Sequence, residues 1–184
     1  MTEPSELSKK GHAFANEKLF EERMEAIVEG LRVCWDIARW EIGKLVDSPI
    51  ERAMGEALVS CPDLCYRDAP YIRAPGGTWL AVDYAQIAPQ HRIGNFRADF
   101  AIVQRAVDGW RCVVVECDGH NFHEKTKEQA AHDKARDRFF VAQGWTVLRF
   151  TGSEIYRDAG ACADQVGSLL MGLNPIAARE HPPA

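Results

Sequence analysis

Three consecutive valines, Val113 to Val115, are the feature that most constrains the fold of this chain. An unbroken β-branched run predicts a strand buried on both faces, because a strand with one solvated face alternates apolar and polar residues. A sheet built around such a strand needs cover on both sides, which helices commonly provide. The segment from Trp110 to Cys117 therefore predicts a central strand of an α/β domain.

Other segments rich in β-branched and aromatic residues predict further strands, separated by Pro, Gly and Asn. They are Tyr71–Ile72, Trp79–Ile87, Phe96–Val103 and Trp145–Phe150. The dipeptide Asp108-Gly109 precedes the valine-rich strand and is a strong hairpin signal, which pairs that strand with Phe96–Val103. Trp145–Phe150 follows a helical segment, so we expect it to lie parallel to the valine-rich strand.

Helical segments flank these strands. Apolar residues recur at helical spacing from about 14 to 46 and predict one long N-terminal helix. Ser48-Pro49-Ile50-Glu51 has the pattern of a helix start, with a capping serine, a proline at the first helical position and a capping-box glutamate. A helix that begins near Thr126 should end at Gly144, and a last helix follows Gly152. The order of elements predicts a mixed sheet flanked by helices.

The length of 184 residues and the hydrophobic share of 46% suit one folded domain. We expect a flexible tail at 1–13, the N-terminal helix at 14–47, the domain at 48–172 and a second tail at 173–184. The sequence has neither an apolar stretch that could cross a membrane nor a secretory signal pattern. Its six cysteines are irregularly spaced and should remain thiols. These features predict a cytoplasmic protein without a membrane partner.

Acidic residues gather at the predicted hairpin. Asp99 is expected to face away from Ala98, Phe100 and Ile102, and Glu116 and Asp118 share one face of the partner strand. A turn centred on Val107-Asp108 places Asp99 opposite Glu116, whereas a turn centred on Asp108-Gly109 places it opposite Asp118. Both registers bring the acids together.

Carboxylates this close destabilise a sheet unless a cation compensates them. Hard ions such as Mg²⁺ prefer carboxylate and water oxygens, so the cluster predicts a divalent-metal site. A metal there could orient and deprotonate a water beside a phosphate. The alternative is that Asp118-Gly119 only makes a turn, and that Asp99 pairs with Arg97 or another cation.

The residues resemble those of the PD-(D/E)XK nuclease superfamily, in particular the branch similar to very-short-patch-repair endonucleases. The similarity runs through Ser48–Glu51, Gln90–Phe100, Glu116–His123, Gln129–Arg138 and Gly144–Phe150. This resemblance implies a restriction-endonuclease-like fold that hydrolyses DNA with Mg²⁺ or Mn²⁺. It also implies that Asp99 and Glu116 bind the metal, that Glu51 completes the site, and that Gln129 is a backing polar residue.

Asp118 departs from the family motif, which has a lysine two residues after the second acid. We expect Asp118 to add ligand charge, and His120 or His123 to act as general base or proton donor, because imidazole exchanges protons near neutral pH. Lys125 is a further residue that could reach the site. Gln90 is expected to help position the reacting groups.

The net charge of -5 gives no overall attraction to DNA, so binding would depend on a local basic margin. Candidates for weak DNA contacts are Arg92, Arg97, Lys125, Lys134 and Arg136, although interleaved charges are also typical of a solvated helix. The missing lysine and the net negative charge motivate an alternative function. The chain would then be a catalytically impaired nuclease fold that acts as a DNA-binding or protein-interaction module.

Two further expectations concern zinc and oligomerisation. Cys117, His120 and His123 are spaced three apart and with His132 could form a zinc site, although no second pair has finger-like spacing. The N-terminal helix carries Trp35 and could support a homodimer, or it could cover the sheet.

Overall fold

A mixed β-sheet forms the centre of the structure, which is a computed structural model. The structure describes residues 21–25, 28–29, 32–34, 36–64, 71–73, 85–107, 109–119, 127–177 and 182. The strands in these ranges are β1 (Tyr71–Ile72), β2 (Gln86–Ile93), β3 (Phe96–Ala106), β4 (Gly109–Asp118), β5 (Thr146–Thr151) and β6 (Ile176–Ala177). Helical positions at 21–25, 28–29, 32–34 and 36–44 make up α1, and α2 (Pro49–Leu58), α3 (Lys127–Ala142) and α4 (Gly152–Gly172) follow. The predicted α/β class is confirmed.

The sheet has the strand order β1-β2-β3-β4-β5, and β6 also pairs with β4. The strand β3 is antiparallel to both of its neighbours, β2 and β4, whereas β5 lies parallel to β4. The parallel return through α3 was predicted. In the β3–β4 hairpin Ala106 pairs with Gly109 and Phe100 pairs with Val115. This is the register of a Val107-Asp108 turn, and its continuation would place Asp99 opposite Glu116.

Two apolar clusters lie on opposite faces of the sheet, which explains the valine run. Val113 and Val115 belong to a cluster with α2 and α4, which includes Met54, Leu58, Ile155 and Val166. Val114 belongs to a cluster with α3, which includes Phe140 and Trp145. Each fully buried valine contributes about 1.5–3 kcal/mol relative to an exposed one. The central strand is therefore apolar on both faces from Cys112 to Val115, and Glu116 follows.

Two details of the sheet differ from the prediction. The strand β2 runs through Pro89 to Ile93, beyond the predicted strand Trp79–Ile87, whose first part lies outside the described residues. Within the described residues β1 pairs only with Gln86 and Ile87, so the rest of β2 forms an edge, where proline is tolerated. The unpredicted strand β6 lies in the segment expected to be a tail.

The helix boundaries follow the predicted signals. Ser48 caps α2, and Gly144 follows α3 with a φ of 93°. Thr126 lies outside the described residues, as do Trp35 and the predicted tail at 1–13. Among the described helices, none combines the length and the apolar character that a membrane crossing requires. The five described cysteines, namely Cys34, Cys61, Cys112, Cys117 and Cys162, are free.

Candidate active site

The strands β3 and β4 part beyond the pair Phe100–Val115, and we call this point the fork. From there β3 continues alongside β2, while β4 continues alongside β5. The backbone N–H of Cys117 donates to Oδ2 of Asp99 over 2.7 Å. A strand N–H that has lost its ladder partner needs another acceptor, and this carboxylate supplies it. The fork thus fixes Asp99 next to the end of β4.

The alternation of side chains changes at the fork. Gln90 has a left-handed backbone with a φ of 51° and lies in β2 between the pairs that flank Asp99. Phe100 and Ile102 pack in the cluster with α2 and α4, but Ala98 packs in the cluster with α3. The prediction that Ala98 shares a face with Phe100 and Ile102 is therefore wrong, because the alternation of side chains between the two faces of the sheet is interrupted between Ala98 and Phe100.

Glu116 is the buried acid of the site, with only 2% of its side chain exposed. Its Oε2 lies 2.7 Å from an Nη2 of Arg136, which extends from α3. Its Oε1 is buried and has no hydrogen-bond partner within the described structure. Burial, together with the negative charge of Asp99, raises the pKa of Glu116 to about 8, and Arg136 offsets only part of this effect.

Asp99 is also held in an environment that disfavours its charge. Burial raises the pKa of Asp99 to about 6, and the nearby Glu51 carboxylate adds to the increase, whereas the Cys117 N–H opposes it. Asp99 thus interacts electrostatically with both Glu51 and Glu116. Buried carboxylates with raised pKa values often mark functional sites.

Glu51 reaches this cluster from the first turn of α2. Its backbone N–H donates to Oγ of Ser48 over 3.2 Å, and its Oε1 accepts a 2.9 Å hydrogen bond from the same hydroxyl. Its Oε2 accepts a 2.7 Å hydrogen bond from Nε2 of Gln90. The predicted serine cap is confirmed, but the Glu51 carboxylate accepts from the Ser48 hydroxyl and the Asp47 N–H, which is not the predicted capping box. The contact with Gln90 connects the cap to the fork. Oε1 of Gln90 is buried without a partner in the described structure.

Asp118, which stands where the family motif has a lysine, is bound by Arg149. Nη1 of Arg149 lies 3.0 Å from Oδ1 and 3.2 Å from Oδ2 of Asp118. Nη2 and Nε of the same guanidinium bind Asp137 at 2.7 and 3.1 Å. Arg149 is paired with Glu116 in the β4–β5 register, so it lies on the strand next to the acids. The parallel pairing of β5 with β4 brings Arg149 to this place.

The other predicted site residues are more scattered. Arg92, Lys134 and Gln129 are exposed, and Arg97 forms a 3.1 Å ion pair with Asp47. Arg136, a predicted DNA contact, instead binds Glu116 with 19% of its side chain exposed. His120, His123 and Lys125 lie outside the described residues, and His132 stacks edge-on against Phe96.

The donor chemistry fits a hard divalent ion, although the carboxylates are not yet arranged around one. Glu51, Asp99 and Glu116 offer carboxylate oxygens, and the unpartnered Oε1 of Glu116 is a buried acceptor that a cation would satisfy. Within the described ranges no three His, Cys, Asp or Glu side chains are already grouped to hold a metal. Burial raises the pKa of Glu116, so an ion would compete with its proton, and an ion at Oε1 would also repel the guanidinium of Arg136 at Oε2.

Comparisons with known proteins add a family match. Residues 80–170 match the family model REase_MTES_1575, a restriction-endonuclease-like family of the PD-(D/E)XK type. This range contains Asp99, Glu116 and Arg136, and leaves Glu51 outside. The family match does not single out the very-short-patch-repair branch, so membership of that branch stays a prediction.

A similar curated protein is "Uncharacterized protein YcjD" of Escherichia coli (strain K12). It is 39% identical over 66 residues, which cover 36% of this chain and 48% of that protein. The chain thus spans about half the length of this relative. No solved structure matches the chain.

Proposed function

Because residues 80–170 match the model of a restriction-endonuclease-like family, we propose that this protein is a metal-dependent endonuclease that hydrolyses phosphodiester bonds in DNA. The observation that carries the proposal is the pair of acids at the fork, the buried Glu116 and the half-buried Asp99. Glu116 has an unpartnered buried oxygen, and Asp99 lies close enough to raise the pKa of Glu116. Without a bound cation this arrangement costs stability, so a ligand of positive charge accounts for it.

In this proposal Asp99 and Glu116 hold Mg²⁺ or Mn²⁺, Glu51 completes the site, and Asp118 adds negative charge. A bound ion would supply positive charge to the phosphate and lower the pKa of a water. Gln90 keeps Glu51 directed to the fork through its 2.7 Å hydrogen bond. His120 or His123 transfers the proton, and Gln129 backs the site from α3. The exposed Arg92, Arg97 and Lys134 contribute the weak basic margin for the DNA backbone.

Cleavage of supercoiled plasmid tests the proposal. Wild-type protein should nick the plasmid in Mg²⁺ or Mn²⁺ and stop when EDTA is added. Asp99→Asn keeps the size of the side chain but removes its charge, and should reduce nicking at least roughly a hundredfold. Asp164→Asn, an exposed aspartate on α4, is the matched control and should nick like wild type. Equal nicking by wild type and Asp99→Asn would contradict the assignment.

One observation favours a second candidate, a DNA-binding or protein-interaction module that has lost catalysis. Asp118 is engaged by Arg149, so the position of the motif lysine contributes an ion pair rather than a free cation. A module should retain DNA on a filter equally well with Mn²⁺ and with EDTA, and Glu116→Gln should not change this retention. Nicking by the wild type would exclude the module as the main function.

A further inference from the structure

Arg136 is placed in the acid site although its sequence neighbours alternate in charge along a helix. Its Nη2 lies 2.7 Å from the buried Oε2 of Glu116, and 19% of its side chain is exposed. Its Nε is buried without a hydrogen-bond partner in the described structure. A second acid, Asp133 on the same helix as Arg136, has its Oδ1 3.8 Å from Nη2 of Arg136. The guanidinium therefore has donor capacity that its present contacts do not use.

Arg149, the other guanidinium of the site, is bonded differently. Its Nε and Nη2 bind both carboxylate oxygens of Asp137, and its Nη1 binds both oxygens of Asp118. These contacts come from two acids on either side of the guanidinium, so a third partner would have to displace one of them. Arg149 is therefore suited to hold β4 and α3 together, and Arg136 is better suited to exchange partners.

We propose that Arg136 takes the place of the lysine that the motif lacks, first neutralising Glu116 and then, when a divalent ion binds Glu116, donating to the scissile phosphate. The inference rests on the proposed function and adds a residue to it. An ion bound at the unpartnered Oε1 of Glu116 would repel the guanidinium at Oε2, which weakens the contact of Arg136 with this carboxylate. The displaced guanidinium remains at the fork, where its planar donors suit two phosphate oxygens.

The competition has a measurable sign. The charge of Arg136 repels any cation bound to Glu116, and the Coulomb energy of this repulsion is twice as large for a divalent ion as for a proton. Removal of that charge therefore favours the divalent ion more than the proton. Loss of Arg136 should therefore tighten metal binding even though it also raises the proton affinity of Glu116. Cleavage should become slower at the same time, because the phosphate loses its donor. A residue that merely shapes the site would weaken both.

The test combines a calorimetric titration with MnCl₂ and plasmid nicking at saturating Mn²⁺. Arg136→Gln should bind Mn²⁺ roughly threefold tighter or more and nick at least roughly tenfold slower. Arg136→Lys keeps the charge and should nick faster than Arg136→Gln. Arg138→Gln removes an exposed arginine of α3 and should match wild type in both measurements. Weaker Mn²⁺ binding by Arg136→Gln, or wild-type behaviour in both measurements, would overturn the inference.

Two further outcomes separate a failure of this inference from a failure of the proposed function. If the wild type binds Mn²⁺ but cuts no DNA, the proposed function and the phosphate contact both fail, while tighter binding by Arg136→Gln still supports the competition at Glu116. If Arg136→Gln does not fold, Arg136→Lys decides. It should nick at no less than roughly a tenth of the wild-type rate, and complete loss of nicking with unchanged Mn²⁺ binding overturns the inference.

Discussion

Oδ2 of Asp99 accepts a 2.7 Å hydrogen bond from the backbone N–H of Cys117, at the point where β3 and β4 part. This bond gives one carboxylate two tasks, since it completes the hydrogen bonding of β4 and also presents an acid to Glu116. A sheet that simply continued its ladder would place the backbone of β3 there instead. The separation of the strands is therefore what makes room for a site.

Asp99 should be replaceable by asparagine without loss of fold. The carbonyl of Asn can still accept from Cys117, and the raised pKa of Asp99 shows that its charge is disfavoured in the metal-free protein. Asp99→Ala leaves the N–H without this acceptor and should be less stable than Asp99→Asn by about 1 kcal/mol. Urea unfolding in EDTA measures both variants. An alanine variant as stable as the asparagine variant would show that the bond contributes nothing.

In the absence of metal, the wild type should lose stability relative to Glu116→Gln as the pH rises from about 4.5 to about 8. The pKa of Glu116 is raised from 4.5 to about 8 by burial and by Asp99, so the folded state keeps its proton where the unfolded chain has lost it. The stabilisation is complete below about 4.5 and is lost as the pH passes about 8. Glu116→Gln has no such proton, so the stability of wild type relative to this variant should decline over that interval in EDTA. A difference that stays constant or grows with pH would contradict the raised pKa.

Arg149 should matter for stability. Arg149→Met leaves Asp118 and Asp137 without their shared cation, and because these groups are partly exposed we expect a loss of about 2 kcal/mol rather than the larger cost of a fully buried pair. Chemical unfolding provides the measurement. Arg138→Met, on the exposed side of α3, is the control and should change stability by no more than about 0.5 kcal/mol. Equal changes in the free energy of unfolding for the two substitutions would show that Arg149 has no special structural role.

The backbone at Gln90 should prefer glycine once the side chain is removed. A φ of 51° is unfavourable for residues with a Cβ, so Gln90→Gly should be more stable than Gln90→Ala by about 1 kcal/mol. Both variants lose the hydrogen bond to Glu51, which makes them a matched pair. Thermal unfolding compares them directly. The opposite order of stability would mean that Gln90 does not hold a left-handed backbone in solution.

The sheet was largely predictable because its signals are local. The run Val113 to Val115 indicated a buried strand, and a period of two placed Glu116 and Asp118 on one face. Asp99 could be brought to them by either of two turns, and only the structure selected the register. The family resemblance was needed to connect Glu51, since a capping box alone explained that residue.

The charge partners were harder to predict because they depend on how separate elements pack. Arg136 on α3 contacts Glu116 on β4, whereas its sequence setting suggested a solvated face. Arg149 meets Asp118 through a parallel pairing of distant segments. The reversal of faces at Gln90 has no signal in the alternation of apolar residues. The pairing of β5 with β4 gives Asp118 a cationic partner on the neighbouring strand.

Manganese binding followed by calorimetry tests most directly the central claim that Asp99 and Glu116 hold a divalent ion. At a pH above about 8, where Glu116 is ionised, the wild type should release heat that saturates with Mn²⁺. Asp99→Asn and Glu116→Gln should each release little or none, while Asp164→Asn should behave like wild type. Saturating heats of equal size in the wild type and in both site variants would contradict the claim.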